Sequence, residues 1–426
     1  MIPAHRYTVS GSWLLDILFL YSIILDSING LLSVNYHMET PVGKVFRLGV
    51  LVFLLNKILK TRINYTFIPW RLSFFPIIVG LLYLLSFIFW ETHLSVFDIG
   101  GEFSGWVSYI YRTAIVVYMY IQVHKFDRNR ILKLVYVTFV LLGGLNIIAG
   151  VSGLGLSTYK LLGIGVKAFY QDGNAFSMYM VMLLPLAIVY SIKCRTIVGI
   201  IGLVIGIMGT LLISTRASII GVSVVLIIAF VCAIGGIIKD YYLNRKSRFL
   251  LLASLLLSLV IGYYFVNITF SNTSQVYWER FTVQSLSSSR TFLIDRGKEY
   301  INTYNNMEWY LGQGGSAATK GLAQQMRILQ DKKSIESDFW DSILAYGWLL
   351  GGLIFGSMLL YYSFLVEHLL KGRFYLIPTM VSLGATLWIL LSFFSGHASY
   401  TNTLISPLLG IYFYVIHFCK IKSARL

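Results

Sequence analysis

The chain has 426 residues, of which 57% are hydrophobic and 12% are charged, and its mean hydropathy is +0.73. A soluble domain of this composition would leave a large apolar surface in water, so the composition excludes a soluble protein and indicates one that lipid solvates. The net charge of +16 does not require a nucleic-acid partner, because most basic residues fall in short connections between apolar segments, as membrane topology demands.

Twelve apolar segments are each long enough to cross about 30 Å of hydrocarbon as a helix. They lie at residues 12–34, 42–59, 72–90, 104–123, 131–151, 174–192, 196–213, 216–238, 249–268, 341–366, 374–395 and 400–418. The sequence therefore predicts an all-α polytopic membrane protein with about twelve transmembrane helices. The first segment lacks a small-residue cleavage site, so we expect it to remain as an anchor.

The basic residues predict the orientation. If the N-terminus is cytoplasmic, every inner connection carries Lys or Arg, whereas the connection with Glu91, Asp98 and Glu102 lies outside. The inner basic residues are Lys57, Lys60, Arg62, Arg71, Lys125, Arg128, Arg130, Lys133, Lys193, Arg195, Lys239, Arg245, Lys246, Arg248, Lys371, Arg373, Lys420, Lys422 and Arg425. Both termini are then cytoplasmic.

Three regions follow from this topology. Residues 1–268 hold the first nine predicted helices, 269–340 form a long polar outer loop, and 341–426 hold the last three helices. A loop of about 70 residues is far longer than a connection needs to be, so we expect it to be partly helical and to carry any chemistry. The three cysteines, Cys194, Cys232 and Cys419, are widely separated and predict neither a disulfide framework nor a metal site.

Charges also lie within apolar segments, where they are costly and usually face a bundle interior or a cavity. The first segment contains Asp16 and Asp26, and Asp26 is predicted to pair with Arg47 or Arg112. Arg112 has no acid near it in sequence. It is therefore a candidate ligand for an anionic substrate, with a structural ion pair as the alternative.

Two stretches lead up to the next candidate. The Gly-rich segment 151–173, with Lys160 and Lys167, is amphipathic and expected to lie along the membrane surface. Asp172 can cap the helix that follows. Arg216 then occupies a tight turn between two apolar segments. Its head is directed either at a substrate or, by snorkelling, at lipid phosphate.

Within the outer loop, Ser288 or Ser289 can cap a helix that starts near Arg290. The glycines of LGQGG at 311–315 form a turn, which is too short and isolated for a nucleotide-binding loop. The aromatic residues Trp278, Trp309 and Trp340 either stack on sugar rings or anchor the chain at the membrane interface.

Three acids, Glu336, Asp338 and Asp341, fall at the mouth of the next helix. Acids at a helix N-terminus are favoured by the helix dipole, so capping explains one of them, and we expect Asp338 in that role. Three acids within six residues, beside a loop rich in arginine, are more than capping requires. Glu336 is the preferred catalytic candidate and Asp338 the alternative.

Five motifs occur in a recognisable order: DGNAFSMYMVMLLPLAI, STRASIIG, SSSRTFLIDRGKEYI, LGQGG and ESDFWDSILAYGWLLGGLIFG. Their order and spacing over residues 170–360 resemble the O-antigen polymerase and ligase superfamily of bacterial envelope glycan enzymes. The resemblance implies a GT-C-like glycosyltransferase of the inner membrane. Its donor would be an undecaprenyl-diphosphate glycan used on the outer side, without nucleotide sugar, cofactor or metal.

The resemblance also implies roles for single residues. Arg216 and Arg290 match arginines that would bind the diphosphate. Glu336 falls where O-antigen ligases carry a histidine, 11 residues before Gly347, and this departure favours a polymerase in which a carboxylate faces the acceptor hydroxyl. Further candidate contacts to diphosphate or sugar are Arg112, Arg280, Trp278 and Trp340. The implied partners are the lipid-linked donor and acceptor glycans, membrane lipid, a chain-length regulator and a flippase, with no nucleic acid.

The implied reaction agrees with elementary chemistry. Departure of a lipid diphosphate develops negative charge that guanidinium groups stabilise, a carboxylate accepts the proton of the attacking hydroxyl, and one displacement inverts the anomeric carbon. The alternatives are an O-antigen ligase and a transporter or flippase of lipid-linked sugars. Asp26 and Arg112 suit a transporter, but the sequence shows no repeat between its halves. The enzyme interpretation requires Arg216, Arg290 and Glu336 in one outward-facing cavity.

Overall fold

The computed structural model describes residues 16, 18–19, 23–25, 27–32, 42–60, 69–90, 96–122, 126–159, 164–170, 172–194, 196–234, 283–327, 334–370, 376–395 and 404–423. The predicted span 249–268, the inner connection 239–248 and the residues Asp26, Lys160, Trp278 and Arg280 lie outside these ranges. The residues described before 42 are helical and fall within the first predicted span.

Helices make up most of the described chain. The first seven with full bounds are α1 (Val42–Lys60), α2 (Phe74–Trp90), α3 (Val96–Ile121), α4 (Arg128–Val151), α5 (Gly173–Cys194), α6 (Ile197–Leu212) and α7 (Arg216–Ile234). The polar segment, which we define as residues 283–327, forms α8 (Val283–Ile301), α9 (Asn306–Leu311) and α10 (Gly315–Gln325). Then come α11 (Asp338–Tyr346), a π-helical turn (Gly347–Gly351), α12 (Gly352–Leu370), α13 (Leu376–Ser395) and α14 (Ile405–Ser423).

Among the described residues, four helical stretches are long and apolar enough to cross a membrane: Arg128–Val151, Gly173–Cys194, Asp338–Glu367 and Leu376–Phe393. Shorter apolar helices accompany them, among them Phe74–Trp90, Ile197–Leu212, Arg216–Cys232 and Ile405–Cys419. The predicted all-α membrane architecture is thereby confirmed. The number of twelve spans and the GT-C-like arrangement stay predictions.

Helix α5 is the centre of the bundle. It packs against α4, α6, α7 and α13, and 89% of its most apolar 18-residue stretch is buried inside the protein. In helix α4, by contrast, only 39% of the corresponding stretch is buried, as expected of a helix at the lipid-facing rim. Because α5 is surrounded by protein, its sequence is apolar on all sides and carries no single polar face.

Segment 151–173 contains two short antiparallel strands, β1 (Ser157–Tyr159) and β2 (Ile164–Val166), with Ser157 opposite Val166. Its position along the membrane surface stays a prediction. The capping prediction for the following helix is confirmed, since the Asp172 carboxylate accepts the backbone N–H of Asn174 at 2.8 Å. This hairpin leads the chain into α5.

Two helices begin earlier than predicted. Helix α3 starts at Val96 rather than at 104, so Asp98 and Glu102 lie on a helix and not in a connection. Helix α8 starts at Val283, so Ser288 and Ser289 lie inside it and not at its start. The physical reason is that serine costs little inside a helix, so a run of serines does not define a helix start.

The glycines of LGQGG allow the polar segment to touch the bundle backbone to backbone. Gly312 has φ +71° and Gly347 has φ +67°. A Cβ atom on Gly347 would lie 2.6 Å from the carbonyl carbon of Tyr310 and 2.7 Å from the backbone nitrogen of Gly312. The indole N–H of Trp90 donates to the carbonyls of Leu311 and Gly312, each at 3.1 Å. The turn is therefore held between α2 and the π-helical turn.

Gly347→Ala is expected to destabilise the protein, because the new methyl group meets backbone atoms and the left-handed conformation alone costs about 1–3 kcal/mol. The matched control is Gly356→Ala in α12, where a Cβ meets nothing within 4 Å and alanine favours the helix. The measurement is the thermal unfolding midpoint of each purified variant in detergent. Equal midpoints for the two variants would contradict this account of the contact.

The predicted topology can be tested by cysteine labelling at exposed positions. Ser316 is unsuitable because it is only 8% exposed, whereas Asn302 and Asn129 are exposed. In a protein lacking its three native cysteines, Asn302→Cys in the polar segment should react with a membrane-impermeant thiol reagent in whole cells. Asn129→Cys, at the start of α4, should react only after permeabilisation. The reverse pattern would overturn the orientation that the basic residues predict.

Candidate functional site

A cavity of about 380 Å³ opens between α1, α3, α10 and α11. We call it the polar cavity because four charged side chains and several hydroxyl groups line it. The described residues that line it are Arg47, Gly101, Glu102, Ser104, Gly105, Ser108, Gly315, Thr319, Ser334, Asp338, Asp341, Ala345 and Tyr346. Its volume lies within the range of small-ligand pockets.

One wall of the polar cavity joins α3 to the polar segment through two buried carboxylates. Glu102 accepts the backbone N–H of Ser316 at 2.8 Å, in the first turn of α10. Asp98 accepts the Ser316 hydroxyl at 2.5 Å and forms a salt bridge with Lys320 at 2.7 Å. An acid at a helix N-terminus is favoured by the helix dipole, and here the acids come from another helix. These contacts fix α10 on the N-terminal half of α3.

The wall continues through two tyrosines. The hydroxyl groups of Tyr83 and Tyr346 are hydrogen-bonded at 2.7 Å, and Tyr346 also bonds the Glu102 side chain. Tyr346 is the last residue of α11, directly before Gly347. Glu102 is therefore held by both α10 and α11, and its carboxylate has little freedom to turn away from the cavity.

The polar segment shares a small core with residues 335–344 at the start of α11, and this core supports the wall. Leu322, Ile335 and Ile343 are buried there together. The hydroxyl of Tyr304 donates to the carbonyl of Leu344 at 2.5 Å, and burial raises the pKa of Tyr304 above its usual range. Tyr304 thus stays a neutral hydrogen-bond donor at physiological pH. Helices α8, α9 and α10 confirm the prediction that this loop is partly helical.

The acids at the start of α11 divide their roles. Asp341 accepts the backbone N–H groups of Ile335 at 2.7 Å and Ser337 at 3.2 Å, and so ties the turn before α11 to the helix. The N-cap position is held by Ser337 and not by Asp338, which we expected there and which is the first residue of the helix. Asp338 is only 2% exposed and lies in the wall of the polar cavity. Burial of an acid beside a cavity, and not at a solvated helix end, is typical of a functional carboxylate.

Arg112 lies beneath the polar cavity. It is 3% exposed, and it follows Ser108 of the cavity wall by one turn of α3. Its Nε lies 3.5 Å from the hydroxyl of Ser406, its Nη2 has no hydrogen-bond partner among the described residues, and it is attracted electrostatically by Asp338. The structure thus brings together two of the candidates, Arg112 and Asp338, that are 226 positions apart in the sequence.

The remaining candidates lie elsewhere or outside the description. Glu336 is half-buried and has φ +65°, and it is not among the described residues that line the polar cavity. Arg216 is half-buried at the start of α7, where Thr215 caps the helix by accepting the N–H of Ser218 at 3.0 Å. Arg290 lies within α8, but its side chain is not described. Neither Arg216 nor Glu336 is among the described residues that line the polar cavity, and the shared cavity of Arg216, Arg290 and Glu336 stays a prediction.

Positive φ angles at non-glycine residues stand close to two of the candidates. Ser214, with φ +58°, precedes Arg216 by two positions, and Glu336 precedes Asp338 by two positions. Such backbone conformations cost of order 1–3 kcal/mol and cluster at functional sites. The strain is independent of the family resemblance and draws attention to the turn before Arg216 and to Glu336 itself.

The aromatic candidates that are described lie on the flank of the site. Trp309 and Trp348 are 41% and 38% exposed, and their rings lie 6.0 Å apart. Trp340 packs against Trp348 at 6.0 Å, and the Lys298 ammonium lies over its ring at 4.9 Å. An exposed aromatic group of this kind is typical of the membrane interface, which favours the anchoring interpretation.

Sequence reasoning missed Arg47 and Glu102 as cavity residues. The sequence predicts that Glu102 lies in a connection, and it suggests Arg47 only as a partner for Asp26. Neither has a motif around it, and the signal that could have found Glu102 is its helical spacing from Asp98, Ser108 and Arg112 along one face of α3. Among the described residues, no group of three or more His, Cys, Asp or Glu side chains is placed to hold a metal ion.

Comparison of the chain with protein-family models, with curated proteins and with solved structures finds no match. The resemblance to glycan polymerases and ligases therefore depends on the five motifs alone. What the site does must be inferred from the chemistry of its own residues.

Asp98→Ala should release α10 from α3, because it removes a buried carboxylate that bonds two side chains. Amide hydrogen exchange of residues 315–325 is expected to speed up by about tenfold or more, corresponding to about 1–3 kcal/mol of lost local stability. The control is Asp295→Ala, which removes an exposed partner 4.0 Å from Lys298 and should change little. Equal protection of 315–325 in Asp98→Ala and wild type would contradict the proposed docking.

Proposed function

We propose that the chain is an inverting glycosyltransferase that polymerises undecaprenyl-diphosphate-linked oligosaccharide repeat units on the outer side of the bacterial inner membrane. The observation that carries this proposal is the buried Arg112, one helical turn beyond the cavity residue Ser108 and within electrostatic range of Asp338 in the cavity wall. The motif resemblance indicates the substrate class, and the charged and polar side chains of the site suit the chemistry of that class.

The first step of the argument concerns the cation. A guanidinium in a low-dielectric interior is costly unless it is paired and hydrogen-bonded. The attraction of Asp338 offsets part of this cost, yet Nη2 of Arg112 keeps an unused donor among the described residues. An anionic oxygen of a lipid-linked phosphate fits such a donor, because charge-assisted bonds to guanidinium are strong and directional.

The second step concerns the base. The acceptor hydroxyl oxygen attacks the anomeric carbon of the donor, and the bond from that carbon to the diphosphate oxygen breaks. Asp338 accepts the hydroxyl proton, and the lipid diphosphate leaves with the electron pair. Asp338 is buried in the wall of the polar cavity and Arg112 lies within its electrostatic range, so the proposed base and the proposed leaving-group cation serve one site.

The third step concerns the cavity wall. Carboxylates and hydroxyl groups alternate there, with Glu102 and Asp341 held rigid by backbone N–H donors. Fixed acceptors of this kind recognise the hydroxyl groups of a sugar without needing to reorganise. The wall thus supports a sugar acceptor rather than an apolar ligand.

Arg216 and Arg290 remain proposed diphosphate ligands on the basis of the motifs. Both would have to approach the polar cavity when the lipid-linked donor binds. Glu336, which the sequence favoured as the base, becomes the second choice after Asp338, because Asp338 lines the polar cavity and lies near Arg112.

The buried Arg112 also suits a transporter of lipid-linked sugars, in which a midplane cation binds the phosphate during passage. That alternative predicts transport without any change in glycan length. Transfer of the glycan to a different lipid acceptor, as in a ligase, is the other alternative, and it predicts a product whose glycan is not elongated.

The test uses purified protein in lipid nanodiscs with lipid-linked repeat units, and follows the chain length of the product on a gel. Asp338→Asn and Arg112→Gln should each lose about 10²-fold or more of the rate, because one removes the base and the other removes the charge that stabilises the leaving group. Glu336→Gln and Arg296→Gln are the matched controls. Arg296 is an exposed arginine that pairs with Glu299 at 2.7 Å.

Near-wild-type rates in Asp338→Asn with loss in Glu336→Gln would move the base to Glu336. Near-wild-type rates in both Asp338→Asn and Arg112→Gln would refute the proposed site. If the wild-type protein leaves every glycan at one repeat unit, polymerisation itself is refuted and the transporter and ligase alternatives are assayed next.

A further inference from the structure

A second cavity, of about 700 Å³, lies at the start of α4 and the end of α5. It is at the opposite end of the bundle from the polar cavity, because α4 follows the C-terminal end of α3 whereas the polar cavity borders the N-terminal half of α3. We call it the basic cavity, after the cations Arg130, Lys133 and Lys193 in its lining. The proposed glycosyl transfer makes no use of it.

The acids of the basic cavity are already engaged. Asp16 forms a salt bridge with Arg130 at 2.6 Å. Asp127 caps α4 by accepting the backbone N–H of Asn129 at 3.1 Å. Lys193 lies within electrostatic range of both Asp127 and a further cation, Arg128. The positive charges therefore outnumber the negative ones, and the cavity favours an anion.

The lower wall of the basic cavity is apolar and continues along the outside of the bundle. Leu134 and Val137 line the cavity, and Val137, Leu141 and Ile148 follow on one face of α4 with 38%, 57% and 66% of their surfaces exposed. The helix rises about 22 Å from Lys133 to Ile148. This length exceeds the hydrocarbon thickness of one leaflet, which is about 15 Å. A cationic pocket thus stands at the end of a lipid-facing apolar stripe.

We propose that the basic cavity binds the head group of an anionic phospholipid, with the phosphate between Lys133 and Lys193 and one acyl chain along Leu141. Basic pockets between membrane helices commonly hold anionic head groups. An isolated basic residue at a membrane end interacts with the surface potential alone, whereas here the cations surround a volume and adjoin a surface for the acyl chain. The bound lipid would join the ends of α4 and α5.

The experiment measures the thermal unfolding midpoint of detergent-purified full-length protein while phosphatidylglycerol is added, and compares it with phosphatidylcholine. Wild type should be stabilised by phosphatidylglycerol in a saturable manner. Lys133→Gln/Lys193→Gln should need about 10-fold more lipid for the same shift, because each lysine near an anionic surface contributes appreciably to binding. The control, Lys57→Gln/Lys60→Gln, removes the same charge from exposed positions at the basic end of α1 and should keep the wild-type response.

Three results would overturn the proposal. Equal weakening in the control pair would mean a diffuse effect of surface charge. Equal stabilisation by phosphatidylcholine would mean that only the acyl chain is bound. Equal stabilisation by inorganic phosphate at the same concentration would mean a site for soluble anions. Should the double variant not fold, Lys133→Gln alone serves, since Lys133 is exposed and its loss leaves no buried group unpaired.

Discussion

The burial of Arg112 is the constraint on which the rest of the site depends. A guanidinium inside a membrane protein demands nearby negative charge or hydrogen-bond acceptors. Ser406 comes from α14 and Asp338 from α11, so two helices distant in sequence must converge on α3. Because Ser108 stands one turn above Arg112, the same helix face that carries this cation also forms the wall of the polar cavity. The position of the cation thus determines where the cavity lies.

The second constraint is the contact between the polar segment and the kink after α11. Only glycine has no Cβ to collide where residues 310–312 meet residues 345–347, and only glycine adopts the left-handed conformation there at no steric cost. This contact places α10 over Glu102 and Asp98, and it holds Tyr346 against Tyr83. The glycines that the sequence excluded as a nucleotide-binding loop therefore act through close packing.

What the sequence predicted well is what depends on local pattern. The membrane-crossing helices follow from runs of apolar residues, the cap by Asp172 follows from its neighbours, and the turn at 312–315 follows from its glycines. What it could not predict depends on partners far along the chain. The sequence around Asp98 and Glu102 does not indicate their partners Ser316 and Lys320, which are more than 200 positions away. The local pattern therefore predicts that both acids belong to a polar connection.

The same reasoning explains why the sequence favours Glu336 as the base whereas the structure favours Asp338 for the proposed role. Spacing to Gly347 singles out Glu336, but spacing along a chain does not say which acid reaches back to the backbone. Asp341 accepts the N–H groups of Ile335 and Ser337 and thereby leaves Asp338, one turn earlier on the helix, to face the cavity. Which carboxylate borders the cavity thus depends on how the backbone before α11 folds back onto Asp341, and spacing along the chain does not contain that information.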